Sequence, residues 1–232
     1  MPVTFSFGGS GYHFPFMLGV AYALKQRFSI PWEQVHVHCI SSGCAGAISL
    51  LLYTPEQIEK LAVRAITLAH CSRTATNTQE YLQLIKHILP ITASQVLGTR
   101  LIIGTTLLPL KRPILYDQGH ATQQLLVQRL HASCRIPMIT GVWNNELDGG
   151  FSHQYAMSDN HTIVITLKEQ SRSDLSARKA SYFTELLLPS QEDMWALYEQ
   201  GKKVVAENYD ILQTKINKGL QDTAPVYFVP YA

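Results

Sequence analysis

What the sequence lacks narrows it first. No apolar run reaches the roughly 20 residues that a bilayer-spanning helix needs. The 232 residues hold only 4 cysteines, Cys39, Cys44, Cys71 and Cys134, and their spacing matches no zinc pattern. No secretory signal is recognisable, so reduced thiols in a cytoplasmic compartment are the expectation. The Asn160-His161-Thr162 sequon carries little weight without such a signal. Charge is scarce as well: 16% of residues are charged and the net charge is +2, which leaves no electrostatic footprint for nucleic acid. There is no internal repeat, no low-complexity segment and no composition shift that marks a boundary. A single domain over 1–232, long enough to bury a full core, follows. Neither a metal nor a cofactor is expected. His36 and His38 share a strand face at period two, but no third ligand is evident, and they read as ordinary strand residues.

Two glycine-rich stretches and one aspartate stand out against this background: Phe7-Gly8-Gly9-Ser10-Gly11-Tyr12, Ser41-Ser42-Gly43-Cys44-Ala45-Gly46-Ala47, and Asp148-Gly149-Gly150. Val35 to Ile40 is short, β-branched and alternating, so it reads as a strand. Ala45 to Tyr53 is apolar and reads as a buried helix. Only small residues lie between, as a sharp strand-to-helix turn requires. A side chain at such an apex points outward beside a helix N-terminus. That is the geometry of a nucleophile elbow, usually spelled G-x-S-x-G. Read as Ser42-Gly43-Cys44-Ala45-Gly46, the turn puts Cys44 at the apex; Ser41 and Ser42 precede the apex and so read as poor substitute nucleophiles. The bland alternative is that Cys44 is a small core residue.

Val3 to Phe7 reads as the first strand, Gly8 to Gly11 as a loop and Pro15 to Arg27 as a helix. Strand, glycine-rich loop and helix form an anion-binding corner. No acidic ribose partner follows, so a dinucleotide site is not indicated. The elbow downstream favours an oxyanion hole made by the N–H groups of Gly9, Ser10 and Gly11. His13 lies in the same stretch, as a base or as a plain loop histidine. Asp148 before two glycines is either an ordinary turn residue or a carboxylate delivered to a neighbour; the elbow favours the second.

The ordered set resembles the patatin-like phospholipase family, which combines an N-terminal glycine-rich oxyanion loop, a G-x-S-x-G elbow and a D-G-G or D-G-A motif carrying the catalytic aspartate. Ser6 to Tyr12 with Gly19-Val20 is similar to the family's opening, and Ala132 to Pro137 resembles its approach to the aspartate. The resemblance covers residues 3 to 155 and departs at two places: Cys44 replaces the nucleophilic serine, and Phe14 stands where a third loop glycine is usual. It implies an α/β fold with a mainly parallel central sheet flanked by helices in a patatin-like three-layer architecture. It also implies a lipid acyl hydrolase, of phospholipase A, lysophospholipase or esterase type, in which Asp148 deprotonates the nucleophile at Cys44. The partner implied is a lipid or other acyl ester, with peripheral contact to membranes. Three alternatives stay open: a cysteine hydrolase or acyltransferase on another substrate, a silent relative that binds lipid or a protein, and a cysteine introduced at a serine position.

The rest of the chain alternates in the manner of an α/β domain. Thr54-Pro55-Glu56-Gln57 is a capped helix start, and an amphipathic stretch with Tyr81, Leu84, Ile85 and Ile88 follows. Leu97 to Leu115 is apolar but broken, fitting either a lipid-facing lid or one or two buried strands. Gly119 to His131 reads as a helix. Pro137 to Val142, His161 to Leu167 and Phe183 to Leu188 read as strands, and Lys168 to Lys179 as a solvated loop. Ser190 to Asp193 opens a long closing helix reaching Tyr209 and Leu212.

Overall fold

The computed structural model describes residues 3–71, 89–90, 93–109, 112–135, 145–152, 161–167, 173–177 and 189–221. The chain starts with β1 (Thr4–Phe7), a 3-10 turn (Gly11–His13) and α1 (Phe14–Arg27). Next come β2 (His36–Ile40), α2 (Gly43–Leu52) and α3 (Pro55–Cys71). The middle holds α4 (Ala93–Leu97), β3 (Leu101–Leu107), β4 (Arg112–Asp117), α5 (Gln123–Ser133) and β5 (Glu146–Asp148). The last part supplies β6 (Ile163–Thr166), β7 (Leu175–Ser176), α6 (Gln191–Glu207) and α7 (Tyr209–Gln221). The stretch around Tyr81 to Ile88, the strands expected at 137–142 and 183–188, and most of the loop expected at 168–179 lie outside the described residues.

The sheet has seven strands in the order β4-β3-β2-β1-β6-β7, with β5 also paired to β3. Pairs β1–β2, β1–β6, β2–β3 and β6–β7 are parallel, while β4 and β5 run antiparallel to β3. This is the expected α/β class, a mostly parallel sheet flanked by helices. β1 lies between β2, which follows it in the chain, and β6, which comes much later. The strand order therefore reverses at β1, and in open α/β sheets ligands bind in the crevice at the carboxyl ends of strands beside such a reversal.

Burial explains the sequence patterns. β1 and β2 are covered on both faces, so Phe5, Phe7, Val37 and Cys39 all sit in the core, as do Ser6 and His38. α2 is apolar nearly all round because it runs through the interior, with Ala47, Ile48, Leu50 and Leu51 buried. The capped start at Thr54 is as expected: the Gln57 side chain accepts from the Thr54 N–H at 2.9 Å, and Thr54 Oγ1 accepts from the Gln57 N–H at 3.4 Å. The apolar stretch from Leu97 resolves into strands rather than a lid. β3 is largely buried, and β4 is an edge strand, where Pro113 is tolerated because no described strand pairs with its outer side. The closing segment is two helices rather than one. A capping box between Ser190 and Asp193 opens α6, and the helix ends at Asn208, whose side chain returns to the Val204 carbonyl at 2.8 Å. Among the described residues, no helix is long and apolar enough to cross a membrane.

α1 and α6 meet backbone to backbone. A Cβ on Gly19 would lie 2.0 Å from the Tyr198 carbonyl oxygen, and one on Gly201 would lie 2.2 Å from that of Phe16. The clashing atoms are main chain, which cannot swing aside. Gly201→Ala is expected to lower unfolding free energy by at least the roughly 1–3 kcal/mol typical of overpacking, measured by urea denaturation.

Candidate active site

The site forms where β3 changes partner. β2 pairs with β3 as far as Ile40 opposite Gly104. From Thr105 onward β5 takes over, with Asp148 opposite Thr105. β4 occupies the other side of β3 along this stretch, so β2 and β5 share one edge. Ser41, the first residue after β2, and Asp148, the last of β5, are therefore brought together although far apart in sequence. Ser41 Oγ donates to Asp148 Oδ2 at 2.5 Å across 107 positions.

Ser41 is the one described non-glycine residue with positive φ, at 52°. That conformation is costly for a residue with a Cβ and is concentrated at active sites. It marks Ser41 as the apex of the turn, directly ahead of α2, whose first N–H groups bond back to it: Cys44 N–H to the Ser41 carbonyl and Ala45 N–H to that of Ser42, each at 3.1 Å. Cys44, expected at the apex, is inside the first turn of α2 and 3% exposed. Burial, then its hydrogen bond to Cys39, pushes its thiol well above the usual range, which disfavours a thiolate. The elbow is Cys39-Ile40-Ser41-Ser42-Gly43, with a cysteine in place of the first glycine. Both possible spellings of G-x-S-x-G in this stretch lack that first glycine. The signal that separates them is the end of the strand at Ile40, since an apex follows its strand immediately.

Gly43, the last residue of this spelling, has no room for a side chain. A Cβ there would lie 2.2 Å from the Gly8 carbonyl oxygen and 2.7 Å from that of Phe7, so the elbow presses directly on the end of β1. Gly9 lies against the apex as well, where an added Cβ would sit 3.3 Å from Ser41 Cβ. Gly11 holds φ at 53°, which glycine adopts freely. Of the three expected oxyanion donors, Gly9 and Gly11 have N–H groups that donate to no other described residue. The Ser10 N–H does not fit that expectation: it donates to Ser42 Oγ at 3.0 Å, and the two hydroxyls are 2.8 Å apart. Phe14, which stands where the resembled family usually has a third loop glycine, is buried at the start of α1.

Asp148 is held on all sides. Its Oδ1 accepts the Gly150 N–H at 2.7 Å, its own N–H donates to the Arg135 carbonyl at 2.9 Å, and Thr106 Oγ1 donates to its carbonyl at 2.8 Å. The next residue must be glycine, because a Cβ on Gly149 would lie 2.6 Å from the Gly104 carbonyl oxygen and 2.9 Å from Ile40 Cβ. Asp148 is 5% exposed, and burial raises its pKa to about 6, against the opposing pull of the Ser41 and Gly150 hydrogen bonds. Neither Ser41 nor Asp148 is bonded to a histidine among the described residues, so His13, buried at the start of α1, is not part of this pair. His36 is half-buried with its pKa lowered by burial and by Arg100, and no group of three metal-ligating side chains occurs among the described residues.

A serine hydroxyl bonded to a carboxylate of raised pKa can ionise at the carboxylate's expense, and backbone N–H groups alongside can hold an oxyanion. Compared with family models and with curated proteins, the chain matches none.

The raised pKa of Asp148 has a stability consequence. Between the ordinary 3.8 and about 6 the folded state binds more protons than the unfolded state. This group's contribution is then fully present below about 4 and is lost as pH rises through 6, a change of about 3 kcal/mol at most. The stability of Asp148→Asn relative to the parent chain, from urea unfolding, is expected to rise by a sizeable part of that amount between pH 4 and pH 7.

Proposed function

We propose that the protein is a patatin-like serine acyl hydrolase working through a Ser41–Asp148 dyad. The observation that carries this reading is Ser41 itself: a serine at positive φ between a strand and a helix, 2.5 Å from a buried carboxylate. Asp148 takes the proton as Ser41 Oγ attacks the carbonyl carbon of an ester. The oxyanion forms against Gly9 and Gly11, whose N–H groups donate to none of the described residues. Collapse expels the alcohol, which takes back the proton, and leaves an acyl-serine that water hydrolyses with Asp148 again as base. The helix N-terminus beside Ser41 favours the developing negative charge. The nucleophile is thus the serine expected of the resembled family, at a position three residues ahead of Cys44.

An acyl lipid is the substrate class this reading favours. Phe151 directly follows the Asp148-Gly149-Gly150 turn and is 48% exposed, an apolar ring offered to the surface three residues after Asp148. Peripheral membrane contact from a cytoplasmic location accords with it. A second reading, a silent protein of the same architecture that binds lipid or a partner, draws on one observation: Ser42 already takes the N–H of Ser10.

Release of p-nitrophenol from short-chain esters, and of fatty acid from mixed phospholipids, decides between the two. Ser41→Ala is expected to cut kcat by on the order of 10⁴-fold or more, and Asp148→Asn by about 10³–10⁴-fold, as for comparable nucleophiles and acids. Cys44→Ala should stay close to the parent chain. An equal loss in Cys44→Ala with activity retained in Ser41→Ala would return the nucleophile to the thiol. Silence of the parent chain on all esters would favour the binding protein. Because the base must be ionised, kcat/KM in the active chain should rise with pH through about 6 and then level off.

A further inference from the structure

The geometry points to Ser133 as a positioning residue for the dyad, acting through the backbone of Ser41; its kinetic test rests on the hydrolase reading above. Ser133 is fully buried on the last turn of α5. Its Oγ accepts the Ser41 N–H at 2.8 Å and donates to the Gly104 carbonyl at 2.6 Å. A helical serine commonly turns its hydroxyl back to the carbonyl four residues earlier. This one instead spends its donor and an acceptor outside the helix, on the residue that follows β2 and on β3.

The acceptor matters because of what it holds. The Ser41 backbone lies in a region that side-chain-bearing residues avoid, and such conformations persist only where the surroundings impose them. Ser133 fixes the amide at one end of that residue while Asp148 fixes the hydroxyl at the other. Two residues beyond Ser133, the Arg135 carbonyl accepts the Asp148 N–H at 2.9 Å, and the Arg135 guanidinium donates to the Glu146 carbonyl at 3.1 Å. One helix end thus sets the main chain of both dyad members. The Ser41 N–H is also committed by this bond, so the oxyanion is left to other amides.

Three variants of the full chain separate positioning from mere packing. Ser133→Ala removes the acceptor, Ser133→Cys keeps the shape but accepts weakly, and Ser133→Thr keeps a hydroxyl. Hydrolysis of p-nitrophenyl butyrate is read per reactive site, counted by fluorophosphonate labelling, so that loss of folded protein does not register as loss of rate. Ser133→Ala and Ser133→Cys are expected to lose about 10–100-fold in kcat, as sub-ångström to ångström misplacement does, with KM nearly unchanged. Ser133→Thr should recover most of the rate. Unchanged kcat per site in either the Ala or the Cys variant would overturn the assignment. A crystal structure of the Cys variant gives a test independent of turnover: Ser41 is expected to leave positive φ or to lose its bond to Asp148, and an undisturbed Ser41 would overturn the assignment. Inactivity of the parent chain would bring down the hydrolase reading alone, since the crystallographic outcome still decides the role of Ser133.

Discussion

The structure depends on a handover along one edge of β3. That edge serves β2 as far as Gly104 and β5 from Thr105. The main-chain bonding of a single strand thereby becomes the ruler that sets Ser41 against Asp148. Ser133 bonds to the Gly104 carbonyl at the handover, and Gly149 packs against that same carbonyl and against Ile40. A bulkier residue at this point would push the Ser41 and Asp148 segments apart at once. The close approach of Gly43 to the Gly8 carbonyl applies the same constraint to the glycine-rich loop after β1. The site is therefore a place where main chains touch, and its small residues follow from that contact.

Electrostatics adds a cost that packing does not. Asp148 is almost wholly buried, with two hydrogen bonds to its carboxylate in place of most of its hydration. Those bonds pull its pKa down and burial pushes it up, and burial wins. A general base works best when its pKa lies near the working pH, so the same desolvation that weakens the fold at neutral pH suits the carboxylate to take a proton from serine. Cys44 shows the opposite result of burial. Buried, with a second thiol at its side and the Asp148 carboxylate raising its pKa further, it is held as a neutral core side chain.

Much of this was legible in the chain. The alternation of short β-branched runs with apolar helices gave the α/β class, and Thr54 and Ser190 marked helix starts whose caps form as their spacing requires. Asp148 stood out because two glycines follow it, and Gly149 proves to need its lack of a side chain. What misled was the elbow. Two overlapping five-residue readings, ending at Gly43 and at Gly46, each carry one glycine too few, and both final glycines are sterically required: Gly46 faces the Phe7 ring and the Met17 carbonyl. Local spelling could not choose between them, because the deciding facts are where β2 stops and which hydroxyl lies beside Asp148. Ser133 lies in the stretch from Ala132 to Pro137 that resembled the family's approach to its aspartate, but its role was hidden for a related reason. A serine in a helix carries no mark of a bond made to a residue 92 positions away. The break at Asn208 was hidden as well, since the apolar stripe runs through it into α7.

The antiparallel pairing of β5 with β3 spans only Glu146 to Asp148. Side chains alternate between faces along a strand, so a shift of one residue would exchange Leu147 for Asp148 and turn the carboxylate to the opposite face of the sheet. Leu147 would then be drawn out of the core where it is now buried. Hydrophobic burial of that leucine and the aim of the Asp148 carboxylate are in this way the same fact of register. The short strand has one alignment that satisfies both, and the chemistry of the site is tied to the most ordinary force in the fold.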